Sequence, residues 1–492
     1  MSLTTALNNA QAIFNNSGTQ SSVVSNNIAN AGNTDYSRRQ AMLTTDMSGA
    51  QVVTIARANE PALQKAFLSS TSGDAAQQSL LKAYTSLQSA TLGGNDNEVA
   101  PATYLSALQT AMQTYASSPS STTAAQSAVN AAQSLATALN NATTAVQSVR
   151  ADADKQIASD VDTLNGLLKK FQTANDAVTS ATATAGSTST ALSDALDQRD
   201  SVLKQISQIV GVTTVTRDNN DVALYTTGGA TLFETIPRSV TFTPTTSYVA
   251  GTTGNNVYID GVALTAGQGA STTAQGSLQA SLQVRDDVAP TYQMQLDEIA
   301  RGLVTTFAET NQTDSTIKAP GLFTWSGGTV PDSAAVVTGM AGSIAVNPAL
   351  LTTATQTGDP TLLRDGGING ADYVVNATGG SGYSDLLDTY ITGMNTKMDF
   401  DATAGSDTNA SLMDYASSSI GWLEGQRSTA TTAAENTSAA LSRSSTAYSN
   451  ETGVNLDEEL TLMMDIEQSY KAGTKILNAV NEMLQSVLDI AS

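Results

Sequence analysis

Two apolar stripes, at opposite ends of the chain, limit what it can fold into more than any other feature. From Leu3 to Ile28, positions 3, 7, 10, 14, 17, 21, 24 and 28 read Leu3, Leu7, Ala10, Phe14, Ser17, Ser21, Val24 and Ile28. That alternation of four and three is the heptad seam of a coiled-coil helix. Met463, Ile466, Tyr470, Gly473, Leu477, Val480, Leu484, Val487 and Ala491 repeat the spacing at the other end. Neither stripe has the Leu density of a stable two-helix coil. The reading we adopt is that the ends pair and other copies cover what remains. The alternative is a seam closed inside one molecule. Half-covered helices at both termini mark a subunit of an assembly more than an enzyme.

The longest periodic stretch lies between them. From Thr122 to about Ala181, Ala128, Ala132, Leu135, Leu139, Ala142, Val146, Val149, Ala153, Ile157, Val161, Leu164, Leu168 and Phe171 hold one face. Such a helix is roughly 90 Å long, with Gly166 as the place where a bend is expected. Shorter helices are expected from Pro61 to Ser89, ended by Gly93-Gly94, and from Pro101 to Ser118. Another runs from Ala191 to Val210, with Gly211 as its C-cap. The period then changes. Strands are expected at 212–216, 222–226, 239–243, 257–259 and 262–265, the last two joined by an Asp260-Gly261 hairpin turn. Helix returns after Pro290 and from Ala410 to Tyr448, and a terminal helix starts near Asn455. The fold class is therefore mainly α with a β insertion. It is an elongated multi-domain rod: a long helical bundle built from both chain ends, with a small β domain inserted. The boundaries are 1–45 plus 453–492 for a terminal coiled-coil-like assembly domain, and 46–210 plus 287–311 plus 406–452 for a helical rod domain. The small β domain is 211–286, and 312–405 forms Gly/Thr-rich loops or a small outer lobe.

Composition narrows the function. The chain has 492 residues, a net charge of −22 and only 13% charged residues, so its surface is mostly Ser, Thr, Asn, Gln and Gly. Such a surface suits an exported chain. An acidic chain without a polybasic run is a poor match for nucleic acid, whose affinity comes largely from phosphate neutralisation. There is no Cys and no His, which removes disulfides, thiolate metal sites and the commonest general base. The N-terminus has no basic n-region and no continuous apolar stretch, so no cleaved leader is expected. No apolar run reaches the roughly 20 residues that span a bilayer.

The polar run that follows the first helix carries a resemblance. Ser25-Asn26-Asn27-Ile28-Ala29-Asn30-Ala31 followed by Tyr36-Ser37-Arg38 resembles the N-terminal signature of the flagellar axial proteins, the group of rod, hook and hook-associated subunits. Gly453-Val454-Asn455-Leu456-Asp457-Glu458-Glu459-Leu460, continued by Tyr470-Lys471-Ala472 and Asn481-Glu482-Met483-Leu484, is similar to the C-terminal signature of that group. Leu196-Asp197-Gln198-Arg199-Asp200 and Ile209-Val210-Gly211-Val212 resemble the middle of its hook-associated protein 1 branch. Gly32-Asn33-Thr34-Asp35 departs from the usual Asn-Thr-Pro-Gly turn, Arg39 is an extra residue, and 312–405 is short for the family. The resemblance implies a structural subunit at the junction of hook and filament, with no enzyme activity and no cofactor. It implies terminal helices facing a central channel and a helical ring of copies between the hook subunit and a second junction protein. It also implies unfolded export, with a chaperone that binds near the C-terminus, and an extracellular, flagellar location. Another axial protein (the second junction protein or a hook subunit) and a secreted adhesin or hydrolase are the alternatives.

The assembly interface is expected at Leu3, Leu7, Phe14, Val24, Ile28, Met463, Ile466, Tyr470, Leu477, Val480, Leu484 and Val487. The structural motif residues are Asn26, Asn27, Tyr36, Arg38, Asp197, Arg199, Asp200, Asn455, Asp457 and Glu458. Asp194, Asp197 and Asp200 share a helix face at spacing three. That pattern suits a metal or an acid–base pair, but equally a solvated face or a salt link; for Arg199 the resemblance suggests a structural ion pair. Asp457-Glu458-Glu459 fits the first turn of a helix, where carboxylates are favourable. Gly379-Gly380-Ser381-Gly382 lacks nucleotide-loop spacing and reads as a flexible loop.

Overall fold

The computed structural model describes residues 3–45, 51–185, 189–331, 334–352 and 357–491. It is 62% helical, which matches the mainly α reading. Helix α1 (Leu3–Ala29) leads into a hairpin of β1 (Arg39–Thr45) and β2 (Gln51–Arg57), with Arg39 opposite Arg57 at its base. The body begins with α2 (Pro61–Leu92), α3 (Pro101–Ser117), α4 (Thr122–Ala185) and α5 (Thr190–Ile209). Two small antiparallel sheets follow: β3 (Val212–Thr216), β4 (Val222–Thr226) and β5 (Thr231–Phe233), then β6 (Val240–Thr241), β7 (Tyr258–Ile259) and β8 (Val262–Ala263). Next come α6 (Ser277–Gln283) and α7 (Ala289–Thr306). Beyond them lie β9 (Glu309–Thr310), β10 (Lys318–Ala319), β11 (Phe323–Thr324), β12 (Ala345–Val346), α8 (Leu362–Asp365), α9 (Asp385–Asn395), β13 (Lys397–Asp399) and β14 (Asn409–Ser411). The chain closes with α10 (Leu412–Thr452) and α11 (Leu456–Ala491).

Helix α4 is the axis on which two cores are strung. Its seam residues Ala128, Leu135, Leu139 and Val146 pack with α2, α3, α7 and α10; Ile157, Leu164, Leu168 and Phe171 pack with α5, α6 and the two sheets. Phe171 meets Phe233 of β5 edge-on at 5.1 Å. The helix passes Gly166 unbroken and runs to Ala185, past the expected end, so only 186–188 of the 179–191 loop lies outside the described residues. Among the described residues, none from α1 or α11 belongs to either core. The terminal helices are a separate element attached to the body.

Four expectations are corrected. Helix α5 ends in extended Val210, and Gly211 is no left-handed cap. Gly211 is instead an approach point: its N–H donates to Gln275 O at 2.9 Å, and a Cβ there would stand 2.6 Å from the Gln275 Cβ. Helix begins at Ser277, before Pro290, and continues through a π turn at Val284–Val288. Buried Arg285 in that turn is paired to Asp154 and Asp286, both at 2.8 Å. A charged residue therefore occupies a core position, which breaks the apolar period. The described residues of 312–405 are not a separate outer lobe: Leu322, Phe323, Ile344, Leu363, Tyr390 and Phe400 share the core of α3, α4, α7 and α10. The Gly379–Gly382 loop is pinned, because Asn376 accepts from Gly380 N at 3.1 Å and donates to Gly380 O at 2.9 Å. The Asp260-Gly261 turn forms with both residues at positive φ, 50° and 80°.

Buried carboxylates on α7 hold the 312–405 stretch. Asp297 accepts from the N–H groups of Gly339 (2.8 Å) and Ala341 (2.9 Å). Burial raises its pKa from 3.8 to about 6, against those bonds and with help from Glu298. Between about pH 4 and 6 the folded chain holds a proton that the unfolded chain has lost. The stability from this group is full below pH 4 and declines as pH rises through 6, by about 3 kcal/mol at 1.36 kcal/mol per unit. The advantage of the wild type over Asp297→Asn in urea unfolding should shrink by that amount from pH 4 to 7. A pH-independent difference would contradict this assignment.

Candidate assembly site

Helices α1 and α11 lie antiparallel. Phe14 meets Tyr470 edge-on at 4.9 Å, Ser21 Oγ donates to Met463 Sδ at 3.8 Å, and Gly473 lies against Ile13, where a Cβ would come within 2.9 Å of Cγ2. The two expected stripes therefore meet. Of the expected interface residues, Val24, Ile466 and Val480 are buried; Leu3, Phe14, Ile28, Met463 and Leu477 are half-buried. Leu7 and Tyr470 remain exposed, and Leu484 and Val487 are 42% and 59% exposed, beside Leu488 at 67%. By the register of the pair, residues 484–491 run past Leu3, so α1 leaves this end of the stripe open. Helix α1 has no charged residue, so its polar face is all amide and hydroxyl.

Asn27 ties α1 to the loop and the strand that follow it. Its Oδ1 accepts from the Tyr36 hydroxyl at 2.7 Å and from Arg39 N at 3.1 Å, and its Nδ2 donates to Arg39 O at 2.8 Å. The loop from α1 to β1 turns without left-handed residues: Tyr36 N donates to Asn33 O, and Asn33 Oδ1 accepts from Asp35 N. The Gly32-Asn33-Thr34-Asp35 departure thus costs no unusual geometry. Arg38 N donates to Thr452 O at 2.7 Å, and its guanidinium pairs with Glu458 at 2.6 Å. Asn455 caps α11 by accepting from Asp457 N at 3.0 Å. Glu459 is buried beside Asn27; burial raises its pKa, opposed by the Asn27 hydrogen bond and Arg38. Burial likewise pushes the Tyr36 hydroxyl up to about 12, although Arg39 opposes it. Asn26 is exposed on the outer side of the same turn.

The hairpin base is bound to α5 by ion pairs. Arg39 reaches Asp194 (2.5 Å) and Asp197 (3.2 Å); Arg57 reaches Asp197 (2.7 Å) and Asp200 (2.6 Å). Directly paired strand residues share a face, so two arginines point at one helix. Aspartates at spacing three, one helical turn apart, bracket them. Burial lowers the Arg57 pKa, but Asp200 and Asp197 outweigh it and hold the group above the ordinary range. Asp35 adds pairs to Ser201 (2.9 Å) and Lys204 (3.2 Å). The aspartate face is thus engaged in a salt link with the two hairpin arginines. Arg199 is a correction: it donates to Asn175 Oδ1 at 3.0 Å and to Asn220 O, both neutral, and burial lowers its pKa. Sequence reasoning missed Arg39 and Arg57 as partners of these aspartates. Their signal was a single arginine in each of two otherwise uncharged strands, at the start of β1 and the end of β2.

Part of this joint, the α5 aspartates and the start of α11, falls within the matches to known families. Residues 88–322 match the family model described as the flagellar hook-associated protein FlgK helical domain. Residues 446–490, the end of α10 and α11, match the flagellar basal body rod FlgEFG protein C-terminal model. These matches make the chain similar to the FlgK flagellar hook-associated proteins over its helical middle and to the flagellar axial proteins at its C-terminal end. The FlgK model takes in α3 to α7 and both small sheets, while the C-terminal model is shared with rod proteins. Among solved structures the chain is similar to the flagellar hook junction protein FlgK from Burkholderia pseudomallei, at 18% identity and a TM-score of 0.42. That likeness covers 53% of this chain and 46% of the other, so the chain spans less than half the length of that protein. No curated protein sequence matches. Among the described residues no helix is long and apolar enough to cross a membrane.

Proposed function

We propose that this chain is a structural subunit of the bacterial flagellum, placed between hook and filament, that polymerises through its terminal helices. The observation that carries this reading is the α1–α11 pair. It lies outside both cores, is clamped to the body by a polar joint, and keeps Leu7, Leu484, Val487 and Leu488 exposed. Apolar surface of this kind is stabilised when a neighbour covers it. The partners are other copies in a helical ring, the hook subunit on one side and a second junction protein on the other. An export chaperone binds near the C-terminus before secretion, and the chain takes up an extracellular position on the flagellum. The role is mechanical, with no catalytic activity and no nucleic-acid partner.

Cells lacking the gene should build hooks without filaments and shed filament protein into the medium, and the full chain supplied in trans should restore filaments. Normal filaments on deletion cells would defeat the proposal. Loss of the hook as well would instead indicate a hook or rod subunit.

A further inference from the structure

We propose that the β1–β2 hairpin of one copy docks on an outer stripe of α11 in the next copy, so that neighbours at one level join patch to unlike patch. This rests on the self-assembly reading above and adds the contact that would propagate it. Both patches spring from the same joint, since Arg38, just before β1, is paired with Glu458 in the first turn of α11 at 2.6 Å. Past its ion-paired base the hairpin is only partly covered: Val53 to Ala56 are half-buried, while Met42 to Thr44 are exposed. Met42 and Leu43 leave opposite faces of the strand, yet both are exposed, at 45% and 49%. A two-stranded hairpin is marginally stable in water and needs a packing partner. On α11, Leu456, Leu460 and Met464 stand at spacing four and are 47%, 52% and 57% exposed. At 100° per residue they sit roughly 140° around the helix from the Ile466, Gly473 and Val480 side that α1 covers.

Size and charge favour this pairing. The stripe is about 12 Å long at 1.5 Å per residue, and Arg39 to Leu43 spans about 13 Å of strand. Asp457 and Glu458 flank the stripe. Strand residues 40–45 and 51–56 carry no charge, so a strand laid there brings no carboxylate against them. A contact between unlike patches does not close on itself in a pair and so extends into a ring or helix.

The chain has no cysteine, so introduced pairs are unambiguous. Leu43→Cys and Leu460→Cys chains are co-expressed and flagella are isolated and oxidised. A disulfide needs Cβ atoms about 4 Å apart, so a covalent dimer present only when both variants are expressed is the expected result. Loss of both variants from flagella, with unchanged unfolding in solution, also supports the contact. Incorporation of both variants without any dimer overturns it and leaves the self-assembly reading standing. Absence of the unsubstituted chain from flagella overturns both.

Discussion

Chains carrying Leu484→Asp are expected to be missing from flagella while their thermal unfolding stays that of the wild type. Leu484 is 42% exposed in the single molecule and lies past the end of α1, so a carboxylate there reaches water and costs within about 0.5 kcal/mol. In the assembly the same position would be covered by another copy. An unpaired carboxylate buried there costs several kcal/mol, and each 1.4 kcal/mol is about tenfold in binding. Incorporation should fall by orders of magnitude, and motility with it. Leu7→Asp, on the facing helix, should behave alike. Immunoblots of isolated flagella set beside melting curves of the purified chain separate the two effects. Ordinary incorporation of either variant would show that these stripes are not interfaces.

Arg57→Ala should produce the largest loss of stability from a single side chain in the joint. Arg57 is buried and gives two short ion pairs to Asp197 and Asp200. Asp197 would keep Arg39, but Asp200 would be left among buried groups with a missing cation. Removing one partner of a buried pair costs about 3–5 kcal/mol, because the other charge stays desolvated and unmatched. The clamp between hairpin and α5 should open first, so proteolysis near residues 39–57 should accelerate before the α4 cores unfold. Arg57→Lys should recover only part of the loss, since one ammonium cannot address two carboxylates as a guanidinium fork does. Limited proteolysis and urea unfolding read both quantities. A change below about 1 kcal/mol, the size of an exposed pair, would mean the network is screened by solvent.

The long helices were legible because their apolar residues repeat over many turns: Ala128 to Phe171 on α4 needed no tertiary information. The Asp260-Gly261 hairpin was equally plain, since the turn demands residues that tolerate positive φ. The β1–β2 hairpin was less so, because its register is held by backbone bonds and by arginines whose partners lie on α5, about 140 residues away. Arg285 hid the start of α6 and α7 in the same way, its charge reading as surface until Asp154 is placed against it. The 312–405 stretch escaped because its strands are two or three residues long, too short for a period to show. Its apolar side chains are recruited singly into a core built by other helices. In the candidate site, the pairing of α1 with α11 followed from the heptad spacing. The outer stripe Leu456, Leu460 and Met464 did not, because it is shorter than the seam and lies beside carboxylates.

Hydrogen exchange on the full chain, compared between dilute solution and isolated flagella, tests most directly whether the terminal helices are completed by other copies. In dilute solution the amides of 3–29 and 456–491 should exchange far faster than those of α4, because local opening of the pair exposes little new apolar surface. In flagella they should become as protected as the α4 core. Termini as protected as α4 in the dilute monomer, with no further gain on assembly, would mean that one molecule closes its own ends, and would contradict the account.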